Sequence, residues 1–162
     1  SMNPINIKDK FLCTSDFINL HDAMLASDFE WYYSSNITNS SNNSFQFCHS
    51  FYKDGIPGPR FDLLIPLLQK IQPFALFSIK ANLITRTSSL DVHDFHVDIN
   101  RPDITTAVFY INSCDGFTLF RNGTKVESVA NRFVSFPCQT EHTGTSCTNS
   151  KVRILINLNY FK

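Results

Sequence analysis

The run Thr105-Thr-Ala-Val-Phe-Tyr-Ile111, followed by Asn112–Gly116 and then by Phe117-Thr-Leu-Phe120, indicates the fold class most strongly. β-Branched and aromatic residues dominate both apolar runs, and such residues are enriched in strands. The segment between the runs contains Asn, Ser, Asp and Gly, which favour turns. The two runs therefore predict a pair of short strands joined by a tight connection.

Similar short runs occupy much of the second half of the chain. They are Phe74–Leu83, Val92–Asp98, Lys125–Val129, Arg132–Phe136 and Val152–Tyr160. Many short strands separated by turns are typical of a sandwich or a barrel. We therefore predict a mainly β fold, an antiparallel β-sandwich.

The earlier part of the chain predicts two helices that support this sandwich. The first begins at Thr14 or Ser15, either of which can cap it, and ends near Asp28. Its apolar face consists of residues that recur at helical spacing: Phe17, Leu20, His21 and Met24. The second helix spans about residues 61–72, where Pro66 would kink it or split it in two.

Length and composition fit one globular domain. The chain has 162 residues, of which 43% are hydrophobic and 16 are Phe, so it can bury a core and is not disordered throughout. We predict a single domain, residues 1–162, with helical support over about residues 1–73 and the β core over about residues 74–162.

Charge and cysteine content narrow the partners and the compartment. The formal net charge is zero, which argues against a nucleic-acid partner bound through excess positive charge. No apolar run approaches the roughly 20 residues of a membrane-spanning helix. The N-terminus shows no secretory signal, and the 5 Cys residues include no CxxC pair. These features predict a cytoplasmic protein without a membrane partner.

A candidate metal site begins in Val92-His-Asp-Phe-His-Val-Asp98, where one residue separates His96 from Asp98. On a strand, residues i and i+2 project from the same face, so this imidazole and this carboxylate can bind one metal ion. The same alternation puts His93 on the opposite face and predicts that it is not a ligand. His-x-Asp alone is a weak signal, because chance often produces it in a chain of this composition.

Two residues downstream strengthen the pattern. His142 follows several predicted strands, and Arg153 begins the apolar strand that ends near Tyr160. An Arg in that position would direct its guanidinium toward a largely buried sheet, which makes sense if an anion is bound inside. Two imidazoles and one carboxylate can hold Fe(II) on one face and leave its other positions open.

The order His-x-Asp, strands, His and then Arg resembles that of the Fe(II)- and 2-oxoglutarate-dependent oxygenases. Within that superfamily it is similar to small prolyl-4-hydroxylase-like members found in bacteria and their viruses, including phages. The resemblance covers about half of the chain, roughly Phe74 to Phe161. It rests on these residues: His96-Val-Asp98, Thr106-Ala-Val-Phe-Tyr-Ile-Asn112, Gly116-Phe-Thr-Leu-Phe120, Asn131-Arg-Phe-Val-Ser-Phe-Pro137, His142 and Arg153.

The resemblance implies a double-stranded β-helix, a jelly-roll fold, and a hydroxylase that uses Fe(II), 2-oxoglutarate and O2. The implied iron ligands are His96, Asp98 and His142. Arg153 matches the family's Arg that pairs with the distal carboxylate of 2-oxoglutarate, and Tyr110 occupies the place of a Tyr that binds the same carboxylate. Asn82 falls near a second cosubstrate contact, and Thr118 is a candidate pocket-lining residue. The implied substrate is a prolyl or other residue in a peptide, and the alternative is a free amino acid or small metabolite.

Other interpretations remain open. A structural zinc site would take its ligands from His93, His96, Cys138 and His142, but it leaves Asp98 and Arg153 unexplained. Arg153 could also merely pair with Glu141 or Asp94. A nucleic-acid demethylase of the same superfamily would carry a second Arg shortly after Arg153, which the sequence lacks. A non-catalytic jelly-roll metal-binding module would keep the fold without the activity.

Overall fold

The computed structural model describes residues 4–37 and 44–162, whose strands form two antiparallel sheets. The strands are β1 (Asn6–Lys8), β2 (Tyr32–Ser34), β3 (Gln46–Lys53), β4 (Ile56–Pro57), β5 (Ala75–Thr85), β6 (Ile104–Tyr110), β7 (Phe117–Phe120), β8 (Lys125–Glu127), β9 (Phe133–Pro137), β10 (His142–Gly144) and β11 (Val152–Phe161). The larger sheet has the order β1-β9-β6-β11-β5-β3-β2, with β4 beside β3, and the smaller sheet has the order β10-β7-β8. The predicted mainly β fold is confirmed.

Two helices cover one face of the larger sheet. They are α1 (Thr14–Leu25) and α2 (Ile65–Ile71), and a 3-10 turn, Phe61–Leu64, precedes α2. Pro66 lies in the first turn of α2, where its missing N–H removes no helical hydrogen bond, so the predicted split of the second helix is confirmed. In the described part of the chain, no helix has the length and apolarity needed to cross a membrane.

The ends of α1 differ from those predicted. Cys13, rather than Thr14 or Ser15, occupies the cap position, and its side chain makes no capping hydrogen bond. The helix ends at Leu25 and not near Asp28, because Ala26 already has an extended backbone with φ −69° and ψ 152°. Three residues of the predicted apolar face, Phe17, Leu20 and Met24, still pack in the core, but His21 does not belong to that cluster.

Strand alternation gives the larger sheet an apolar layer on each face. In β6, Ala107 and Phe109 pack toward the helices. Val108 and Tyr110, on the other face, belong to a second cluster that includes Phe120 of the smaller sheet. The two sheets therefore face each other across a shared interior, as expected for a jelly roll.

The N-terminal part of the chain is not purely helical, contrary to the prediction. It also contains β1 to β4, and β3 pairs directly with β5 in the larger sheet. His49 of β3 is buried, and its two ring nitrogens lie 2.8 and 2.9 Å from the carbonyl oxygens of Glu30 and Pro59. Pairing with distant residues, and not a local apolar pattern, makes this segment a strand.

The segment Val92–Asp98 is not a regular strand, which corrects another prediction. Isolated bridges hold it, one of which joins His96 to His142. Within the segment, His96 Nδ1 donates to the carbonyl oxygen of Asp94 at 3.0 Å. Simple alternation therefore does not decide where the side chains of this segment point.

Candidate metal centre

His96, Asp98 and His142 meet at one point in the fold. Their potential ligand atoms all lie within 4.8 Å of one another. His96 Nε2 is 3.2 Å from Asp98 Oδ1, and His142 Nε2 is 3.9 Å from the same oxygen. Reciprocal backbone hydrogen bonds of 2.9 and 3.0 Å between His96 and His142 bring the two imidazoles together. The structure thus assembles the three predicted ligands.

Hydrogen bonds on the far side of each imidazole orient its Nε2. His96 Nδ1 donates to the Asp94 carbonyl at 3.0 Å, and His142 Nδ1 donates to the Thr140 carbonyl at 2.9 Å. An imidazole whose Nδ1–H is engaged in this way presents the lone pair of Nε2 to a metal. Both rings are therefore held in a tautomer that suits metal binding.

The carboxylate of Asp98 is oriented and kept ionised. Asn157 Nδ2 donates to Asp98 Oδ2 at 2.9 Å, which leaves Oδ1 facing the imidazoles. Burial alone would raise the pKa of Asp98, but the hydrogen bond with His96, the charge of His142 and the bond from Asn157 lower it to about 2. Asp98 is therefore a carboxylate at neutral pH, as metal binding requires.

The two imidazoles have pKa values shifted in opposite directions. Burial lowers the pKa of His142 and outweighs the charge of Asp98, so this ring is neutral at neutral pH. Burial also acts to lower the pKa of His96, but the hydrogen bonds with Asp98 and with the Asp94 carbonyl outweigh it and raise that pKa. Because only the neutral imidazole binds a metal, protonation of His96 competes with metal binding.

A cavity of about 290 Å³ opens beside this cluster. Its walls include six of the predicted site residues: Asn82, His96, Asp98, Thr118, His142 and Arg153. Tyr110 is fully buried behind this wall, and its hydroxyl lies 2.6 Å from Thr118 Oγ1. The structure therefore brings all the predicted site residues except Tyr110 to one cavity, and Tyr110 reaches it through Thr118.

Arg153 is 1% exposed and projects into the interior between the sheets. Its Nε donates to Ser128 Oγ at 2.8 Å and its Nη1 to the Thr145 carbonyl at 3.3 Å, but its Nη2 has no hydrogen-bond partner among the described residues. No carboxylate there lies within ion-pair distance of it, and Glu141 pairs with Arg121 instead. A buried guanidinium without a counter-ion is costly unless an anion binds to it.

Gly116 makes room for this guanidinium. A Cβ atom at this position would lie 2.6 Å from Arg153 Cδ and 2.6 Å from the backbone oxygen of Ser146. Any other residue would displace the Arg153 side chain or the adjacent backbone. The sequence identified this residue only as a turn and strand position.

Comparison with known proteins identifies the fold. No family model and no curated protein matches the chain. A solved prolyl hydroxylase from Trichoplax adhaerens matches with a TM-score of 0.72 at 15% identity, over 99% of this chain and 84% of that chain. The viral collagen prolyl hydroxylase of Paramecium Bursaria Chlorella virus-1 matches with a TM-score of 0.62 at 14% identity, over 99% and 97%.

A third match is the non-heme, α-ketoglutarate-dependent epimerase SnoN of nogalamycin biosynthesis. Its TM-score is 0.71 at 13% identity, over 99% of this chain and 77% of that chain. The fold is that of the 2-oxoglutarate- and Fe(II)-dependent oxygenases. This oxygenase fold confirms the predicted double-stranded β-helix, although none of these three matches comes from a phage.

Within the oxygenase fold, His93 does not lie where the sequence predicted. It lines the same cavity as His96, because the irregular backbone of this segment breaks the expected alternation. Neither His93 nor Cys138 belongs to the group of candidate ligand atoms. Cys138 Sγ instead donates to the carbonyl oxygen of Arg101 at 2.8 Å. The geometry therefore gives no support to the zinc alternative.

We expect Cys138→Ser to leave the metal content unchanged. The thiol reaches a backbone carbonyl and not the ligand cluster, so its replacement removes no ligand. Metal analysis of the purified variant beside the wild-type protein checks this. Loss of bound metal from Cys138→Ser would reinstate the zinc site.

Asn157 is a functional residue that the sequence analysis missed. We expect Asn157→Leu to weaken metal binding by about 10- to 100-fold, because outer partners of metal ligands typically contribute that much. The change removes the donor that orients Asp98 Oδ2 and keeps the branched shape of the side chain. Metal affinity is measured by competition with a chelator.

Asn159→Leu is the matched control for this variant. Asn159 lies two residues further along β11 and is 6% exposed, but its side chain bonds to Thr106 and Ser78 rather than to a ligand. Asn159→Leu should keep wild-type metal affinity. Equal losses of metal affinity in the two variants would show that Asn157→Leu acts by disturbing strand β11 and not by releasing the Asp98 carboxylate.

Proposed function

We propose that the chain is an Fe(II)- and 2-oxoglutarate-dependent dioxygenase that hydroxylates a C–H bond. One observation carries this proposal: the His-Asp-His cluster and the buried guanidinium of Arg153 line the same cavity. The fold likeness to prolyl hydroxylases and to other 2-oxoglutarate-dependent enzymes supports it.

The residues present fit both the metal and the cosubstrate. Two imidazole nitrogens and one carboxylate on one side of a metal suit non-heme Fe(II) and leave positions for exogenous ligands. The cavity volume of about 290 Å³ is at the small end of the range for ligand pockets, which suits a five-carbon dicarboxylate. Arg153 offers the free Nη2 donor for the carboxylate at the end away from the metal.

The chemistry divides between the bound groups and the protein. When bound, Fe(II) supplies the activation of O2 that couples conversion of 2-oxoglutarate to succinate and CO2 with oxidation of a substrate C–H bond. The chain's own residues bind and orient. Asn157 holds the Asp98 carboxylate, Arg153 holds the distal end of the cosubstrate, and the apolar walls at Val108 and Leu155 limit access of water.

We further propose that the substrate is a residue in a peptide, prolyl or another. A second cavity of about 560 Å³ shares Lys80, Asp98 and Asn157 with the first, so a substrate there would lie next to one metal ligand, Asp98. Its walls combine aromatic and hydroxyl side chains, among them Tyr52 and Ser78. That size and mixture suit a side chain with its flanking backbone. The Trichoplax prolyl hydroxylase was solved with a peptide fragment, which supports the proposal.

The test is a substrate screen with the Fe(II)-loaded protein. The candidates are proline-containing and other peptides, free amino acids and small metabolites. Each is incubated with the Fe(II)-loaded protein and 2-oxoglutarate in air. One control sample omits O2, and another uses protein without Fe(II). We expect O2- and Fe(II)-dependent succinate together with one added oxygen atom in a peptide. Oxygen added to a free amino acid or metabolite would replace the peptide assignment. No succinate with any of them, although metal and 2-oxoglutarate bind, would favour a non-catalytic jelly-roll module.

A further inference from the structure

His93 is a buried side chain on the wall of the metal cavity that the proposed mechanism does not use. It is 5% exposed, and its backbone N–H donates to the Gly144 carbonyl at 3.0 Å. It lines the cavity together with the metal ligands but contributes no atom to their cluster. Its imidazole is therefore available to bind a group in the cavity other than the metal.

The backbone of Gly144 and Thr145 brings His93 beside Arg153. Gly144 accepts the hydrogen bond from His93, and a Cβ atom at Gly144 would lie only 3.4 Å from Arg153 Nη1. Val92, the residue before His93, forms a bridge with Thr145, whose carbonyl accepts a hydrogen bond from Arg153 Nη1 at 3.3 Å. The backbone of Val92 and His93 and the guanidinium of Arg153 therefore lie against the same stretch of backbone, Gly144 and Thr145.

Both groups keep an unused polar atom in the interior. His93 Nε2 and Arg153 Nη2 are buried and have no hydrogen-bond partner among the described residues. The Asp91 carboxylate is 3.8 Å from His93 Nε2, which is beyond hydrogen-bond distance. Burial lowers the pKa of His93, and the charges of Arg153 and His96 act in the same direction against those of Asp91 and Asp94. The imidazole is therefore neutral and can donate one N–H while Arg153 supplies the charge.

We propose that His93 binds the distal carboxylate of 2-oxoglutarate together with Arg153, with Nε2–H as its donor. The inference rests on the proposed function, since it requires 2-oxoglutarate in this cavity. Two donors from different segments would hold the two oxygens of one carboxylate, as Arg153 Nη2 alone cannot do. His93 thereby contributes to selection of a 2-oxo acid that carries a second carboxylate.

The experiment titrates 2-oxoglutarate into the Mn(II)-loaded protein by calorimetry. His93→Phe keeps a planar ring without the donor, and His93→Gln restores an N–H close to the position of Nε2. We expect His93→Phe to weaken 2-oxoglutarate binding by about tenfold and His93→Gln to recover most of the loss. Mn(II) affinity and the unfolding midpoint, measured on the same samples, should match wild type.

Each outcome has a defined meaning. No 2-oxoglutarate binding to wild type contradicts the proposed function itself. Wild-type affinity in His93→Phe overturns the role of His93 and leaves the proposed function intact. Equal weakening in His93→Phe and His93→Gln, or a parallel loss of Mn(II) affinity, assigns the ring to packing and also overturns it.

A double variant tests whether the two donors share one carboxylate. Changes at residues that bind the same group are not additive, whereas independent changes multiply to within about twofold. We expect the combination of His93→Phe with Arg153→Lys to weaken binding by less than the product of the single effects. A combined effect within about twofold of the product of the two single effects would mean that His93 contacts some other part of 2-oxoglutarate.

Discussion

We expect turnover of 2-oxoglutarate to be abolished in each of three variants, His96→Ala, Asp98→Ala and His142→Ala. The loss should exceed about a hundredfold, because removal of a residue that only orients a metal ligand already costs roughly 10- to 100-fold. Three protein ligands are the minimum for this kind of site, so none is redundant. Asp98 Oδ1 lies 3.2 and 3.9 Å from the two Nε2 atoms, so its loss removes the group common to both contacts. Succinate formation and metal content are measured for each variant.

The fold should survive these changes, which makes the result interpretable. None of the three residues is a member of either apolar cluster. The buried His142 ring packs against Phe136 at a centroid distance of 4.9 Å, so the unfolding midpoint is measured for each variant. His21→Ala, a change of the same type at a partly exposed residue of α1 that does not line the cavity, is the matched control and should keep wild-type turnover. Succinate at the wild-type rate from any one ligand variant would remove that residue from the ligand set.

Arg153→Lys should weaken 2-oxoglutarate binding far more than metal binding. Lys keeps the charge but loses the planar fork, the Nε bond to Ser128 and the free Nη2 donor. Loss of a charge-assisted contact of this kind costs on the order of 2–3 kcal/mol, or tens- to hundredfold in affinity. The measurement is a titration of 2-oxoglutarate into the Mn(II) protein. Unchanged cosubstrate affinity would refute the 2-oxoglutarate assignment even if the metal site is correct.

Two further variants serve as comparisons for the effect of Arg153→Lys on 2-oxoglutarate affinity. Arg132→Lys alters an Arg that pairs with Asp9 away from the cavity, so it should leave 2-oxoglutarate affinity unchanged. Tyr110→Phe removes a hydroxyl that lies 2.6 Å from Thr118 Oγ1. Because Tyr110 acts through Thr118, its loss should weaken cosubstrate binding in the same direction but by less than Arg153→Lys.

The parts of the site that could be predicted depend on regular geometry. Arg153 was predicted to direct its guanidinium inward because it begins an apolar strand, and in β11 it is 1% exposed. Strand alternation also puts Asn157, four residues further along, on the same face as Arg153, and its polar character within an apolar strand was a signal that could have identified it. The prediction that His96 and His142 belong to one metal site came from the order of the matching residues in the oxygenase family, and not from a local sequence pattern.

The parts that could not be predicted depend on contacts between distant residues. The predicted orientation of His93 was wrong because it assumed a strand, whereas isolated bridges hold this segment. His93 is nevertheless absent from the group of candidate metal ligands, as predicted. β3 carries a buried His49 whose ring nitrogens lie 2.8 and 2.9 Å from the carbonyl oxygens of Glu30 and Pro59, and no local pattern reveals such partners. Gly116 is required by the packing of Arg153, which lies far away in sequence.

The central claim is that one cavity binds Fe(II) and 2-oxoglutarate together. The most direct test is to add Fe(II) and then 2-oxoglutarate without O2 and to record the visible absorption spectrum. A 2-oxo acid chelated to Fe(II) produces a charge-transfer band, so we predict a new band in wild type that disappears in His142→Ala and requires higher 2-oxoglutarate concentrations in Arg153→Lys. A wild-type spectrum that does not change when 2-oxoglutarate is added to the Fe(II) protein would contradict this account.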